Sequence, residues 1–296
     1  MTKSAADGTA SWPPPALDPA GPFAGPLSTL SWVLFAMGAV VTLIVLIALA
    51  VAVFGPRRWR TRLGGTRLVW IGGFAFPVVV LSALLIYGLG LTSHLTQEPE
   101  PGELRIRVTG EMWWWRVAYL DGQGREAFQD ANEVHIPTGR PVVIELDSAD
   151  VIHSFWIPRL AGKVDMIPGR RNLLRLQADQ PGAYGGQCAE YCGGPHALMG
   201  LVVVAHAPKD YEAWVARQSQ PAQTVMQMMP GRAVFQTAGC GACHTVAGTA
   251  FNGLAGPDLS HVGSRRTLGA GILPNNQGTM AGWISDSQSI KPGNRM

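Results

Sequence analysis

The chain has 296 residues, of which 15% are charged and 47% hydrophobic, with a mean hydropathy of +0.13. Ordinary soluble domains carry about 25% charge, so these values exclude a disordered chain and a wholly soluble one, and the length suggests two domains rather than one. The net charge of +3 hides five clustered arginines, Arg57, Arg58, Arg60, Arg62 and Arg67; the remainder is net negative, which excludes a nucleic-acid binder with a basic folded surface.

Residues 1–27 are rich in Pro, Gly and Ala with Lys3 as the sole basic residue, so they lack the charged start and short apolar run of a signal peptide. They read as a loose outer tail. Ser28 to Phe54 and Leu68 to Leu91 then run for 27 and 24 residues without a charge. At 1.5 Å per residue they reach about 40 and 36 Å, enough to cross a hydrocarbon core of about 30 Å with tilt. A buried core helix is the competing reading, but soluble helices rarely run this far without a charge. A transmembrane helix hairpin is therefore expected over residues 28–94, with a kink at Pro77. The five arginines fall between the two helices, and the positive-inside rule places them in the cytoplasm with both chain ends outside.

Beyond His94 the composition becomes that of a soluble protein. Leu104-Arg-Ile-Arg-Val-Thr109, Pro141-Val-Val-Ile-Glu-Leu146 and Leu173-Leu-Arg-Leu176 are short, partly alternating and separated by Gly/Pro turns, as in an antiparallel β-sandwich or small barrel. This domain is expected over 95–218, closing with a short helix from Pro208 to Gln218. Residues 219–229 are polar and aperiodic and read as a linker to a third segment, 230–296.

Four cysteines are too few to staple a chain of this length and are better read for metal or redox chemistry. Two lie in Cys188-Ala-Glu-Tyr-Cys192-Gly-Gly-Pro-His196-Ala-Leu-Met199. Two thiolates, an imidazole and a thioether form a soft ligand set that favours copper. Zinc is the alternative for a Cys/His cluster but does not recruit Met, and a disulfide or redox dithiol leaves His196 and Met199 without a role. A second imidazole is needed; His153, in Asp150-Val-Ile-His-Ser-Phe-Trp-Ile-Pro158, lies at the edge of an apolar strand, where a histidine alone is more often structural.

The other two form Cys240-Gly-Ala-Cys243-His244, the C-x-x-C-H pattern of covalent c-type haem attachment, for which zinc and a dithiol are again the alternatives. Gly231 and Phe235 suit a packed first helix, and Gly256-Pro-Asp-Leu259 would place the Pro257 carbonyl on His244 Nδ1, orienting the ring.

With these motifs the chain resembles subunit II of haem-copper cytochrome c oxidases, in the form with a fused cytochrome c domain. The resemblance runs through the helix hairpin, Met112-Trp-Trp-Trp115, Asp150-Val-Ile-His153, Asp165-Met-Ile-Pro-Gly-Arg170, the Cys188–Met199 cluster and the haem motif. It implies a cupredoxin-like all-β sandwich after the hairpin, then a small all-α cytochrome c domain. It implies a dinuclear copper centre, CuA, bridged by Cys188 and Cys192; His196 and Met199 complete one copper, His153 and the Glu190 backbone carbonyl the other. The Glu190 side chain would hold Mg²⁺ at the boundary with subunit I, and Trp113 matches the aromatic at which electrons enter, although a core or interface tryptophan would look the same.

The same resemblance puts oxygen reduction on a partner, since the family's subunit I needs six intramembrane His ligands and neither apolar run contains a histidine. Implied partners are subunits I and III, an external cytochrome c or other donor, and a bacterial-type cell membrane with the redox domains on the periplasmic face. Rival readings are a copper-delivery protein, which leaves Met199, His196 and the haem unexplained, and the electron-transfer subunit of another terminal reductase, against which the two-helix anchor argues. In the family's fused domains the distal haem Met follows a Lys-Pro-Gly turn, here Lys291-Pro-Gly-Asn-Arg-Met296, making Met296 the expected sixth ligand and Met280 its rival. A further helix normally follows, so the expectation is either a shortened chain or a haem domain incomplete at the C-terminus.

Overall fold

The computed structural model describes residues 13–95, 100, 102–221 and 230–296. By its contacts the chain divides into residues 26–98 and a second unit containing the rest. In the first unit, α1 (Gly25–Phe54) is followed by α2 (Arg57–Leu63), which carries four of the five clustered arginines, then α3 (Thr66–Leu68), a π-helical turn (Val69–Ala75) and α4 (Phe76–Leu95). The spans Gly25–Phe54 and Thr66–Ser93 are long and apolar enough to cross a membrane, and side chains such as Leu46, Ile47, Val79 and Leu85 are exposed along them. At Pro77 the helix answers with the π-helical turn just upstream. Proline supplies no N–H to the turn before it, and the wider turn lets Phe76 N donate to Ile71 O instead.

Ten strands of the second unit form two five-stranded sheets. One has the order β3 (Glu126–Ala131), β2 (Trp114–Leu120), β1 (Leu104–Glu111), β5 (Val142–Ser148), β8 (Asn172–Leu176); the other runs β4 (Glu133–Pro137), β10 (Gly200–His206), β9 (Gly182–Cys188), β6 (His153–Trp156), β7 (Val164–Met166). Pairing is antiparallel except for β1 with β5 and β4 with β10. The three segments singled out by alternation all fall in the first sheet, where β1 and β8 keep one face partly wet while Val142–Leu146 of β5 is buried throughout. In β1, Ile106 and Val108 point inward between partly exposed arginines. Strand β10 escapes that pattern. Leu201 and Val203 join the main core while Val202 and Val204 join Ala183 on the opposite face.

The core is built on Trp115, Ile106, Ile144, Phe155, Leu160 and Tyr184. Trp115 sets an edge against Phe155 (centroids 5.9 Å apart) and donates Nε1–H to Gly200 O at 3.1 Å, so its one polar atom is satisfied in the interior. Helix α5 (Pro208–Gln218) closes the sandwich through Tyr211 and Trp214, over the residues expected. The loose tail expected over 1–27 is corrected where it is described. Ala20 N donates to Arg159 O (2.7 Å), Asp179 N to Ala20 O (2.9 Å), and Phe23 packs on the core. Gly21 approaches the Gln177 carbonyl so closely that a Cβ would lie 1.9 Å from it. Proline, glycine and alanine here serve backbone pairing, which composition does not distinguish from looseness.

The third segment contains α6 (Gly231–Thr237), a 3₁₀ turn over Cys240–Ala242, a two-strand ladder of β11 (Thr267–Leu268) and β12 (Leu273–Pro274), then α7 (Gln277–Ser285) and α8 (Ser287–Ile290). Most of the expected linker, 222–229, lies outside the described residues. This segment docks on the sandwich through buried polar groups. Arg265 Nε meets Asp130 at 2.7 Å with both side chains nearly inaccessible, and Glu133 Oε1 accepts from the amides of Arg266 (2.5 Å) and Thr267 (3.1 Å).

His206, at the end of β10, stacks on His135 with Nε2 2.8 Å from His135 Nδ1, and His135 stacks on Trp214. Burial, and then the neighbouring His135, lower the His206 pKa to about 4. Its unfolded value is about 6.5, so between those two values the unfolded chain binds more protons and acidification removes stability. The melting temperature should fall between pH 7 and pH 4.5, and His206→Gln should flatten that fall; an unchanged pH dependence in the variant would refute the role given to this pair.

Candidate metal and haem centres

Strand β9 ends at Cys188 between two neighbours. On one side β6 pairs Phe155 with Cys188, and one residue further Ala189 N donates to Ser154 O at 3.0 Å. On the other, β10 pairs Gly200 with Gln187, and one residue further Cys188 N donates to Met199 O at 2.9 Å. The loop 189–199 thus folds back over its own start, and a 3₁₀ turn, Gly194–Leu198, lifts His196 onto the sulfurs.

The result is one cluster. Cys188 Sγ and Cys192 Sγ are 3.7 Å apart; His153 Nδ1 is 3.9 Å from Cys188 Sγ, and His196 Nδ1 is 3.5 Å from Cys192 Sγ. Met199 Sδ lies 3.8 Å from Cys192 Sγ, and the Glu190 carbonyl oxygen 3.2 Å from Cys188 Sγ. The ligand atoms of His153, Cys188 and Cys192 all lie within 4.8 Å of one another, and all three side chains are buried. Every residue expected at the copper centre is therefore brought together. Two sulfurs flanked by one imidazole each, with a thioether and a carbonyl beside them, fit soft-metal chemistry.

The hydrogen bond from Cys192 lowers the Cys188 pKa to about 3 against the opposing effect of burial, and the same bond, with burial, pushes Cys192 up. For His153, burial disfavours the charged form, but its contacts to Cys188 and Asp150 win and raise its pKa.

In sequence Asp150 is only one member of a motif, yet in the fold it organises this side of the cluster. Its Oδ1 lies 2.9 Å from His153 Nε2, while Oδ2 accepts from Met112 N at 2.7 Å. Burial opposes the ionised form of Asp150, but the bonds from His153, Met112 and Val151 outweigh it and lower its pKa. A carboxylate on Nε2 fixes the ring and turns Nδ1 to the sulfur. The signal was present as an acid three residues before a histidine. Gly110 is the other contributor missed, since a Cβ there would sit 2.7 Å from His153 Cδ2.

Trp113 is half-buried, packs against the core beside the cluster and donates Nε1–H to Cys192 O at 2.8 Å. Gly193, at φ 114°, approaches the same ring so closely that a Cβ would stand 3.0 Å from Trp113 Cζ2. The Glu190 side chain is half-buried at the loop's outer edge.

In the third segment Cys240 is half-buried, Cys243 is exposed, and neither is in a disulfide. His244 Nδ1 bonds the Pro257 carbonyl at 2.8 Å, as expected, which leaves Nε2 for a metal. Gly256 lies against the ring; a Cβ there would be 2.6 Å from His244 Cε1. Two adjacent thiols and an oriented imidazole fit a covalently held haem. Met280 sits half-buried on α7, and Met296 is 50% exposed with its carbonyl held by Ser287 and Gln288.

A family profile described as cytochrome c oxidase subunit II, periplasmic domain, matches residues 118–206, and one described as cytochrome c matches 210–296. A cytochrome c oxidase subunit 2 of Alkalihalophilus pseudofirmus is 40% identical over 74% of this chain and 63% of its own length. That of Bacillus subtilis is 30% identical over 78% of this chain and 69% of its own. Among solved structures, the periplasmic domain of subunit II of cytochrome oxidase of Bradyrhizobium japonicum is 31% identical, covering 41% of this chain and 96% of that one with a TM-score of 0.38. The chain is a membrane-span-bearing cupredoxin-like protein with a cytochrome c domain. It belongs to the cytochrome c oxidase subunit 2 family.

Gly110→Ala should displace His153 while leaving every expected ligand in place. Copper titration should show about ten-fold weaker retention, in the range of lost outer-shell support, whereas Gly122→Ala, which meets nothing within 4 Å, should not. Equal affinities in the two variants would mean that His153 does not bind.

Proposed function

We propose that this chain is the electron-entry subunit of a respiratory cytochrome c oxidase, receiving electrons at its haem domain and delivering them through the cysteine cluster to an oxygen-reducing subunit. The observation that carries this reading is the convergence of Cys188, Cys192, His153, His196 and Met199 at one end of the sandwich. Cys188 and Cys192 would bridge two coppers, His196 and Met199 completing one and His153 and the Glu190 carbonyl the other. Cys240 and Cys243 would hold the haem thioethers, with His244 as the axial ligand and Pro257 orienting it. When bound, the haem and the copper pair supply two one-electron carriers in series.

The protein's part is to keep those carriers rigid. Asp150 holds the His153 ring, the strand pairing on both sides of Cys188 fixes the sulfurs, and burial excludes water from both thiols. A rigid ligand set changes little when an electron arrives, which keeps the reorganisation cost small. Trp113, bonded to the Cys192 carbonyl, would carry only those electrons that bypass the haem and enter directly at the sandwich. The Glu190 carboxylate would hold Mg²⁺ against subunit I, with subunit III as a further partner. The arginine-rich α2 would face the cytoplasm, and both chain ends and the redox domains the periplasm.

Metal analysis of the loaded protein should give two coppers per chain, with an electron paramagnetic resonance signal spread over both; one copper per chain would sink the assignment. Cys188→Ser should abolish the pair, because a hydroxyl does not bridge as a soft thiolate does. His196→Ala should stop oxygen consumption while leaving the haem reducible by an external donor.

For the sixth haem ligand we favour Met296, since His/Met ligation raises the potential and suits electron transfer. The methionine-to-iron band at the red edge of the oxidised spectrum should vanish in Met296→Ala and persist in Met280→Ala. The reverse outcome would falsify the choice.

A further inference from the structure

Lys291 is the most deeply buried lysine of the described residues, 3% exposed, and no carboxylate pairs with it. Its three ammonium protons are spent on three backbone carbonyls: Trp113 O at 2.6 Å, Leu198 O at 2.8 Å and Gly269 O at 2.9 Å. The first belongs to the turn between β1 and β2, the second to the end of the cysteine loop, immediately before Met199, and the third to the haem-bearing segment. Burial pulls the Lys291 pKa down to about 7, with the nearby Cys192 favouring the charged form. An unpaired buried cation is expensive unless its donors are satisfied, and these three carbonyls satisfy all of them.

The surrounding backbone is shaped to the same contact. Gly269, Ala270 and Gly271 all have left-handed φ (65°, 66° and 86°), a turn that presents Ala270 O to Gly200 N at 3.0 Å. A Cβ on Gly200 would stand 3.0 Å from that same oxygen. Two residues past Lys291, Gly293 (φ 85°) lies over Trp113, where a Cβ would be 3.4 Å from Cη2 and Cζ3. The Trp113 ring is thus contacted by Gly193 of the cysteine loop and Gly293 of the haem segment.

We propose that Lys291 is a positioning residue that seats the haem-bearing segment on the cysteine loop and lays the Lys291-Pro292-Gly293 turn over Trp113, so that the turn next to the favoured sixth ligand is also the contact through which the haem segment addresses the cluster. This rests on the function proposed above. It has a consequence for the donor. With the turn on Trp113, an external donor is directed to the haem and away from the tryptophan.

The test is hydrogen exchange on the full chain in detergent, with and without copper. Lys291→Met keeps the aliphatic stem and removes the three donors. Peptides covering 198–202 and 267–271 should lose at least about ten-fold in protection, while those around Arg265 and Asp130 keep theirs. Should Lys291→Met fail to fold, Lys291→Arg serves, because a planar fork does not meet three carbonyls converging on one atom.

In the loaded protein, flash reduction of the haem should show electron arrival at the copper slowed at least about ten-fold, with metal content and haem spectrum unchanged. Unchanged protection, or unchanged transfer with protection lost, overturns the proposal. The exchange measurement does not depend on copper, so a chain that bound none would refute the proposed function while still deciding how the segment is seated.

Discussion

The cluster depends on one constraint, that strand β9 runs between β6 and β10 and stops at Cys188. Antiparallel register then does the rest. Continued beyond the last pair, β6 lays His153 and Glu190 opposite one another, while β10 lays Met199 opposite Cys188. Residues separated by up to 46 positions, from His153 to Met199, are gathered by two ladders of backbone hydrogen bonds, and the loop between them only has to return Cys192 and His196 over the strand end. A slip of one residue in either ladder would turn one of these side chains to the opposite face, because side chains alternate along a strand.

Holding polar groups in such a place requires that each have a partner. Asp150 answers His153 and the Met112 amide together, and the Cys192 carbonyl accepts from Trp113. Glycine supplies the remaining clearance. Gly110 makes room for the His153 ring, Gly193 for Trp113 and Gly256 for His244, in each case where a methyl group would collide. The two clusters are thus shaped by the same pair of devices, an oxygen that orients an imidazole and a glycine that lets it sit close.

The haem-bearing segment is fixed to the sandwich by groups that are expensive to bury singly. Removing one member of a buried ion pair such as Arg265–Asp130 costs about 3–5 kcal/mol, because the other is left uncompensated. Glu133 accepting two amides and Lys291 donating to three carbonyls extend the same principle. Contacts of this kind specify one arrangement more than they add stability. A single arrangement is what the electron transfer proposed above would need, since its rate would depend on the separation of the two centres.

Much of this was legible in the sequence, for reasons that are local. The charge-free runs, the arginines between them, helix Pro208–Gln218 and the two cysteine motifs each state their chemistry within a few neighbours, and so does the Pro257 carbonyl on His244. What tertiary structure decided involves partners far apart in the chain. No local pattern tells Asp150 to hold His153 through a ring whose other face meets Gly110, or distinguishes a loose proline-rich tail from one whose Ala20 pairs with Arg159 and Asp179. Lys291 is the clearest case. In sequence it is a polar residue in a turn near the end, exposed by every composition rule, and only the convergence of three carbonyls from three separate segments gives a buried ammonium somewhere to put its protons.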